Sequence, residues 1–351
     1  GSSFTVFLDG DGSVWAWGLN DKGQLAQSNT AGATGYVNQS TANPQRVLDS
    51  NGRYLGTDEE GNVVIRFKAV AAGTDHAVAL SQDGTVYTWG YNNLGQLGNG
   101  NQKNQLYAAP VLAGAQTTYY CPVCGKHYRT GRVGASCTND LPDDQNQGTV
   151  RCSGTLERYQ YLTNIVAVAA GISHTLALAD DGTVWAWGSN YYGQLGISDS
   201  TQLEAEHENN TYVHAVPVQV RGALGSGNME NGFRIAAGGN VSAIILSNGQ
   251  LWVFGSNSNG QLGQRDYGAN VVSSLPVRVK KGDSESSDDS ITQVTNVAVG
   301  TDHMVAIRTL GGGSQEVFAW GGNEKGQLGL GSISARATEP ARVMEAIGVP
   351  L

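Results

Sequence analysis

Five stretches of the chain share one order of apolar and polar positions. In each stretch a short apolar segment leads to a glycine, and a polar loop then ends in Gly-Gln-Leu-Gly or Gly-Gln-Leu-Ala. Residue types alternate with a period of two in the apolar segment, which is typical of a β-strand. Self-similarity of this length predicts a repeat array or a propeller. The copies are residues 14–26, 86–98, 184–196, 251–263 and 317–329.

A second apolar segment precedes each copy and completes the repeat. Its clearest form is V-A-A-G-T-D-H-A-V-A-L at residues 70–80. Residues 235–246 form a weaker version, in which Val241 and Ser242 stand where three other copies have histidine. The first copy is shorter, because residues 1–8 match the segment only from its glycine onward. The remaining two versions are residues 168–178 and 297–307.

The two halves of the repeat predict four antiparallel strands, which we label a to d along the chain. Strand a is built from small and β-branched residues, and strands b and c are joined by Asp-Gly or Asn-Gly pairs that suit tight hairpin turns. A proline followed by a short apolar run predicts strand d, because proline is tolerated at the start of a strand or on a sheet edge. One such sheet cannot bury both of its faces alone. We therefore predict an all-β protein, a β-propeller whose blades are four-stranded antiparallel sheets.

The large side chains are distributed over the repeats and are not gathered into one pocket. All seven tryptophans lie inside the five copies, on strand c, where we expect them to pack between neighbouring blades. His76, His174 and His303 share one repeat position at the start of strand b. We interpret them as hydrogen-bonded structural histidines that hold the a–b turn, since buried polar groups in folded proteins are satisfied.

The combined pattern V-A-A-G-x-x-H-x-x-A-L-x-x-D-G-x-V-W-x-W-G-x-N-x-x-G-Q-L-G resembles the repeat of the regulator of chromosome condensation family. This resemblance implies a β-propeller and covers nearly all of residues 1–351 outside the insertions. Propellers of the family usually have seven blades, whereas five motifs are visible here, so the resemblance leaves the blade number open. The family also includes a plant photoreceptor, but its Gly-Trp-Arg-His-Thr motif is absent from this chain.

Composition excludes some classes of function. Charged residues make up only 15% of the chain, and the formal net charge is −9, which argues against a nucleic-acid-binding face because that face is basic. No apolar run approaches the roughly 18 residues that cross a bilayer. Because residue 1 falls inside a repeat, we expect the chain to be part of a larger protein or assembly. We expect a secreted or bacterial surface location, with the cytoplasm as the alternative.

The cysteine-rich insertion at residues 116–158 carries the one distinct chemical motif. The segment C-P-V-C-G resembles a zinc knuckle, in which two thiolates two residues apart bind one metal ion. We predict one structural zinc ion. Two disulfides are the main alternative, and a Cys₃His site that uses His127, or free thiols, stay open as well. The predicted ligands are Cys121, Cys124, Cys137 and Cys152.

The loops fall on two faces of the predicted propeller. In a meander of four strands the b–c and d–a connections emerge on one face, and the a–b and c–d connections emerge on the other. The predicted hairpin 49–67, the insertion 116–158 and the acidic loop 280–290 therefore share a face with the Asp-Gly turns. Because this face carries the blade-specific additions, we predict that a partner contacts it.

The sequence favours a binding role over catalysis. It contains no nucleophile elbow, phosphate-binding loop or His-Glu-x-x-His motif. We predict a non-enzymatic scaffold that binds a protein or a glycan through one propeller face. The resemblance implies one alternative, a guanine-nucleotide exchange factor for a small GTPase, which is an activity of some family members. A proteinaceous enzyme inhibitor is the other alternative.

Overall fold

The computed structural model describes residues 1–27, 40–57, 61–113, 161–198, 212–265, 268, 271–281 and 290–344, together with the backbone of short strands between residues 119 and 158. The described part is built from antiparallel β-sheets, and its one helical element is the 3₁₀ turn Ala223–Gly225. No helix in these residues is long and apolar enough to cross a membrane. The predicted all-β class is confirmed.

Five sheets form five blades in chain order. Blade 1 has three strands, and blades 2 to 5 have four strands each. Blade 1 contains β1 Phe4–Leu8, β2 Val14–Gly18 and β3 Thr41–Arg46; blade 2 contains β4 Phe67–Ala72, β5 His76–Ser81, β6 Val86–Gly90 and β7 Gln105–Pro110. The insertion contributes β8 Tyr119–Tyr120, β9 His127–Tyr128, β10 Asp140–Pro142, β11 Thr149–Arg151 and β12 Glu157–Arg158.

Blades 3 to 5 repeat the order of blade 2. In each, strands a, b, c and d are neighbours in the sheet and pair antiparallel, as the sequence predicts. Blade 1 lacks strand a and begins with strand b. The strands are β13 Ile165–Ala170, β14 His174–Ala179, β15 Val184–Ser189 and β16 Val213–Gln219; β17 Gly232–Gly238, β18 Val241–Leu246, β19 Leu251–Ser256 and β20 Val272–Arg278; β21 Val294–Val299, β22 His303–Thr309, β23 Gln315–Gly322 and β24 Arg336–Arg342.

The Asp-Gly turns also join neighbouring blades. Gly84 has a φ of +88°, and a Cβ atom there would lie 3.0 Å from the backbone nitrogen of Asn164 in blade 3, so both conformation and space favour glycine. The Gly84 carbonyl accepts a hydrogen bond of 3.1 Å from the Ile165 N–H at the start of the next strand a. The same bond recurs at Gly12, Gly182 and Gly249.

Strand d differs from its predicted bounds. The prediction starts it at the proline, but β16 begins at Val213 and contains Pro217 within it. The pairing register between β15 and β16 shifts between Ala186 and Gly188, so the proline falls where the ladder is interrupted. Strand d is also the outer edge of each blade, where a missing N–H donor is tolerated. These two features explain why proline does not mark the start of the strand.

The hydrophobic core is a series of layers between blades. Trp89, Trp187 and Trp320 on strand c are fully buried, as predicted. Each indole N–H donates a hydrogen bond to the carbonyl of the Gly-Gln-Leu-Gly glutamine in the preceding blade, for example Trp187 to Gln96 at 2.9 Å. The repeated loop motif is therefore a docking point for the next blade. Its conformation positions a carbonyl oxygen for the tryptophan.

The histidines bridge blades, which corrects part of the prediction. The backbone carbonyl of His76 does close the a–b turn by accepting from the Gly73 N–H at 2.9 Å. The buried imidazole, however, contacts the next blade, with Nε2 of His76 at 3.1 Å from Oγ1 of Thr175. Nε2 of His174 likewise lies 2.9 Å from Oγ of Ser242. Periodicity placed these side chains on strand b but could not show which blade they face.

Candidate protein-binding face

The innermost strands of the blades have two chemically different ends. At one end, the a–b turns of blades 2 to 5 and residues Gly1 and Ser2 line a cavity of about 380 Å³. Its lining is mostly glycine, alanine and backbone, and the turns are linked by hydrogen bonds such as Thr74 N–H to the Ile172 carbonyl at 3.3 Å. Because the same turns recur in each blade, the lining of this cavity offers little that distinguishes one blade from another. We call it the Gln-Leu face, after the loops that share it.

The opposite end, which we call the Asp-Gly face, carries a β-bulge at the start of strand a. In each of blades 2 to 5 the register between strands a and b skips the second residue of strand a. That residue is exposed in all four blades. A bulge re-aims one side chain without disturbing the rest of the strand. The four bulged residues are Lys68, Val166, Phe233 and Thr295.

The bulged residues differ in chemistry while their neighbours repeat. They include one cation, one aliphatic, one aromatic and one hydroxyl side chain, whereas the residues that follow them along strand a are mostly small and apolar. Packing between blades therefore does not determine which residue type occupies each bulged position. Exposed positions that vary over a repeated scaffold are suited to recognising a partner.

A cleft of about 350 Å³ opens beside three of these strands, in blades 3, 4 and 5. Leu178, Ile235 and Val297 line it with apolar surface, and the exposed Phe233 lies at its edge. Phe233 is 56% exposed, although phenylalanine usually lies inside a folded protein. The Arg234 guanidinium lies over the Phe233 ring at 5.2 Å from the ring centroid. Phenylalanine and arginine are both enriched at protein interfaces relative to the rest of the protein surface.

The predicted hairpin at residues 49–67 lies on the same face and is only partly regular. Its first turn forms as expected, with Gly52 at a φ of +74° and its N–H donating to the Asp49 carbonyl at 3.0 Å. The described residues then show isolated bridges, Leu48 with Tyr54 and Thr57 with Val63, in place of a continuous ladder. The side chain of Val63 is 49% exposed and adds apolar surface to this face.

The predicted zinc ligands lie outside the described residues. The same is true of most of the insertion 116–158 and of the acidic loop between residues 282 and 289. Among the residues that the structure does describe, no three His, Cys, Asp or Glu side chains come together as a metal site. The zinc site therefore stays a prediction.

The buried histidines are part of the packing. Burial is the largest cause and lowers the pKa of His76 to about 3, and the repulsion that a protonated His174 would exert is a further cause. Burial likewise lowers the pKa of His174 to about 3. Nδ1 of both rings has no hydrogen-bond partner among the described residues. The Thr175 hydroxyl donates to the Gln96 carbonyl at 3.0 Å, so it must accept from Nε2–H of His76. Both rings are therefore neutral structural groups.

Comparison with known proteins agrees with the repeat pattern and the fold. The model for the regulator of chromosome condensation (RCC1) repeat matches residues 11–80, 83–118, 181–245, 248–307 and 314–350. The chain belongs to this family. The RCC1 match includes all five Gly-Gln-Leu-Gly or Gly-Gln-Leu-Ala copies, so the family resemblance read from the residues is confirmed.

Two curated relatives differ in how much of their own length the match covers. The chain is 26% identical to the ultraviolet-B receptor UVR8 of Arabidopsis thaliana over 99% of its own length and 81% of that protein. It is 30% identical to the probable E3 ubiquitin-protein ligase HERC4 of Homo sapiens, over 81% of its own length but only 24% of that protein. Proteins of different kinds are thus similar to this chain.

The fold has a counterpart among solved structures. Human WBSCR16 is similar with a TM-score of 0.62 and 20% identity, and the match covers 98% of this chain and 65% of that one. A likeness at this level of identity concerns the fold.

The strand-a bulges were not anticipated from the sequence. Their one signal was that the second residue of strand a differs between RCC1 repeats that are otherwise alike.

Proposed function

We propose that the chain is a non-enzymatic RCC1-type scaffold that binds a protein partner through its Asp-Gly face. The observation that carries the proposal is the set of bulged residues, which presents a different side chain from each of blades 2 to 5, together with the apolar cleft between blades 3, 4 and 5. The two histidines with strongly lowered pKa are buried between blades and have a structural explanation. The repeated core thus supplies rigidity, and the exposed positions supply recognition.

The chemistry of the cleft favours a particular kind of partner surface. Its apolar residues fit an aliphatic or aromatic side chain, and Arg234 at its edge fits a carboxylate. A glycan would need several polar groups to satisfy its hydroxyls, and among the described residues only Asn296 and Arg234 are polar in the cleft lining. We therefore infer a protein partner that places an apolar side chain next to an acidic one.

The experiment is affinity capture from the native source with three forms of the chain. Phe233→Asp removes the exposed ring and repels a carboxylate, so capture of the partner should fall at least tenfold. Ile333→Asp is the matched control, because Ile333 is 75% exposed but lies on a c–d loop of the Gln-Leu face. Equal capture by all three forms would show that the partner binds elsewhere.

The identity of the captured partner separates the two alternatives. A small GTPase whose nucleotide release the chain accelerates would indicate an exchange factor, and an enzyme that loses activity in a stoichiometric complex would indicate an inhibitor. Each alternative also requires a protein partner. The Phe233→Asp test therefore applies to all three.

A further inference from the structure

Two cations lie beside the apolar cleft of the Asp-Gly face. Lys68, the bulged residue of blade 2, extends toward blade 3, where its Nζ donates a hydrogen bond of 3.3 Å to the Ile165 carbonyl. The next residue, Val166, lines the cleft. Arg234 lines it in blade 4, with its guanidinium 5.2 Å from the centroid of the Phe233 ring. In the order of the blades, the apolar surface of blade 3 therefore lies between an ammonium group and a guanidinium group.

Neither cation is neutralised within the described part of the chain. Lys68 and Arg234 are exposed and form no ion pair there, whereas the Arg53 guanidinium lies 2.7 Å from the Asp49 carboxylate. The formal net charge of the whole chain is −9. Two cations without ion pairs beside an apolar surface thus stand out from the acidic balance of the protein, and they form a local site for negative charge.

Carboxylates of the same face are held by their own turns. Oδ1 of Asp83 accepts a hydrogen bond of 3.0 Å from the Thr85 N–H, and Oδ1 of Asp181 accepts one of 3.0 Å from the Thr183 N–H. These bonds stabilise the b–c turns of blades 2 and 3. The negative charge of these turns is therefore used in local structure and is not paired with the two cations.

The two cations differ in how they bind a carboxylate. The Lys68 ammonium has three donors, of which the Ile165 carbonyl takes one, so two remain for a ligand. The planar Arg234 guanidinium can bind both oxygens of one carboxylate. Between them, Val166 and Leu178 offer an apolar surface that suits an aliphatic or aromatic side chain. The complementary ligand has an apolar group with a carboxylate on each side.

We propose that the partner of the Asp-Gly face presents an acidic–apolar–acidic segment. One carboxylate binds Lys68, the apolar side chain enters the cleft, and the second carboxylate binds Arg234. This inference rests on the proposed function and narrows it, because that function requires one acidic side chain and Lys68 adds the requirement for a second. Charges at the edge of an interface contribute to the choice of partner, since a wrong partner brings like charges together.

Selection of random peptides displayed on phage, with the immobilised chain as bait, tests the proposal. The wild-type chain should enrich peptides in which Asp or Glu stands on both sides of an apolar residue. Lys68→Glu should exchange one of the two acidic positions for Lys or Arg, and Arg234→Glu should exchange the other. Lys325→Glu is the matched control, because Lys325 is exposed on a c–d loop of the Gln-Leu face, and it should return the wild-type pattern.

Fluorescence anisotropy with a selected peptide then measures the contribution of Lys68. Replacing the acidic residue that Lys68→Glu exchanged by its amide should weaken binding to the wild-type chain about threefold, as expected for a solvent-exposed ion pair. The same peptide change should have no effect on the Lys68→Gln variant. Added salt should weaken the wild-type interaction, because exposed ion pairs are screened.

Phe233→Asp separates this inference from the proposed function. Selected peptides that lose binding to Phe233→Asp but carry only one acidic position, or a pattern that Lys68→Glu leaves unchanged, would overturn the inference and leave the proposed function standing. Failure to select any peptide whose binding depends on Phe233 would overturn both. Circular dichroism confirms the β-sheet content of every variant, so a loss of binding is not read from an unfolded chain.

Discussion

Acid should destabilise the RCC1 blades through two buried histidines. His76 and His174 are fully buried, and Nδ1 of each ring has no partner among the described residues, so a proton added there would be a buried charge without compensation. The perturbation is a change of pH from 7 to 5. The variant that tests the cause replaces both rings by valine, the residue that blade 4 carries at the same position.

The sign of the effect follows from the lowered pKa values. The pKa of each ring falls from 6.5 in the unfolded chain to about 3 in the folded protein. The stabilisation is therefore complete above pH 6.5 and is lost as the pH falls from 6.5 toward 3. Each pH unit in that window removes about 1.4 kcal/mol per histidine, so the fall to pH 5 removes about 2 kcal/mol per histidine.

Urea denaturation at pH 7, 6 and 5 measures the effect. The wild-type chain should lose about 4 kcal/mol more of its free energy of unfolding between pH 7 and 5 than the double variant His76→Val, His174→Val. Val241→Ala is the control, because it removes packing at the same repeat position without removing an ionisable group, and its effect should not vary with pH. Equal losses for the wild-type chain and the double variant would refute the reasoning.

Two further predictions concern the core and the insertion. Trp187→Ala should lower the free energy of unfolding by about 3–5 kcal/mol, because the indole is fully buried. Trp187→Phe should lower it by only about 1 kcal/mol, since Phe254 fills the same position in blade 4. Denaturant melts compare the two variants, and a loss under about 1 kcal/mol for the alanine variant would contradict the packing. Elemental analysis should find one zinc ion per chain, with thiols released by a chelator, whereas no metal and no titratable thiol after denaturation would indicate two disulfides among Cys121, Cys124, Cys137 and Cys152.

The blades could be predicted because their determinants are local. An Asp-Gly pair encodes its own turn, as at Gly84, and the alternation around Trp187 encodes a strand with one face for each neighbouring blade. Repetition then strengthens each local signal, since five copies in register specify the same sheet. The sequence alone therefore established the RCC1 repeat, the order of the strands and the tryptophan packing.

The strand-d bounds and the bulges depend on pairing that the local sequence does not show. Pro217 indicated the start of a strand, but the strand pairs with β15 from Val213 onward because the register shifts in between. Phe233 precedes the segment 235–246 that the repeat predicts, and only the skipped register in the structure shows that it faces solvent. A shift of one residue exchanges the faces of a strand. Exposure at such positions is therefore a tertiary property.

The role of the histidines was decided by the same kind of long-range contact. The repeat placed His76, His174 and His303 at equivalent positions, which predicted one shared role. In the structure His76 and His174 contact hydroxyls that lie 99 and 68 residues away in sequence, whereas His303 is only partly buried and contacts the neighbouring Asp302. The sequence by itself determined which residues each blade contains. Only the tertiary structure decided which of their faces are covered, because burial depends on the neighbouring blade.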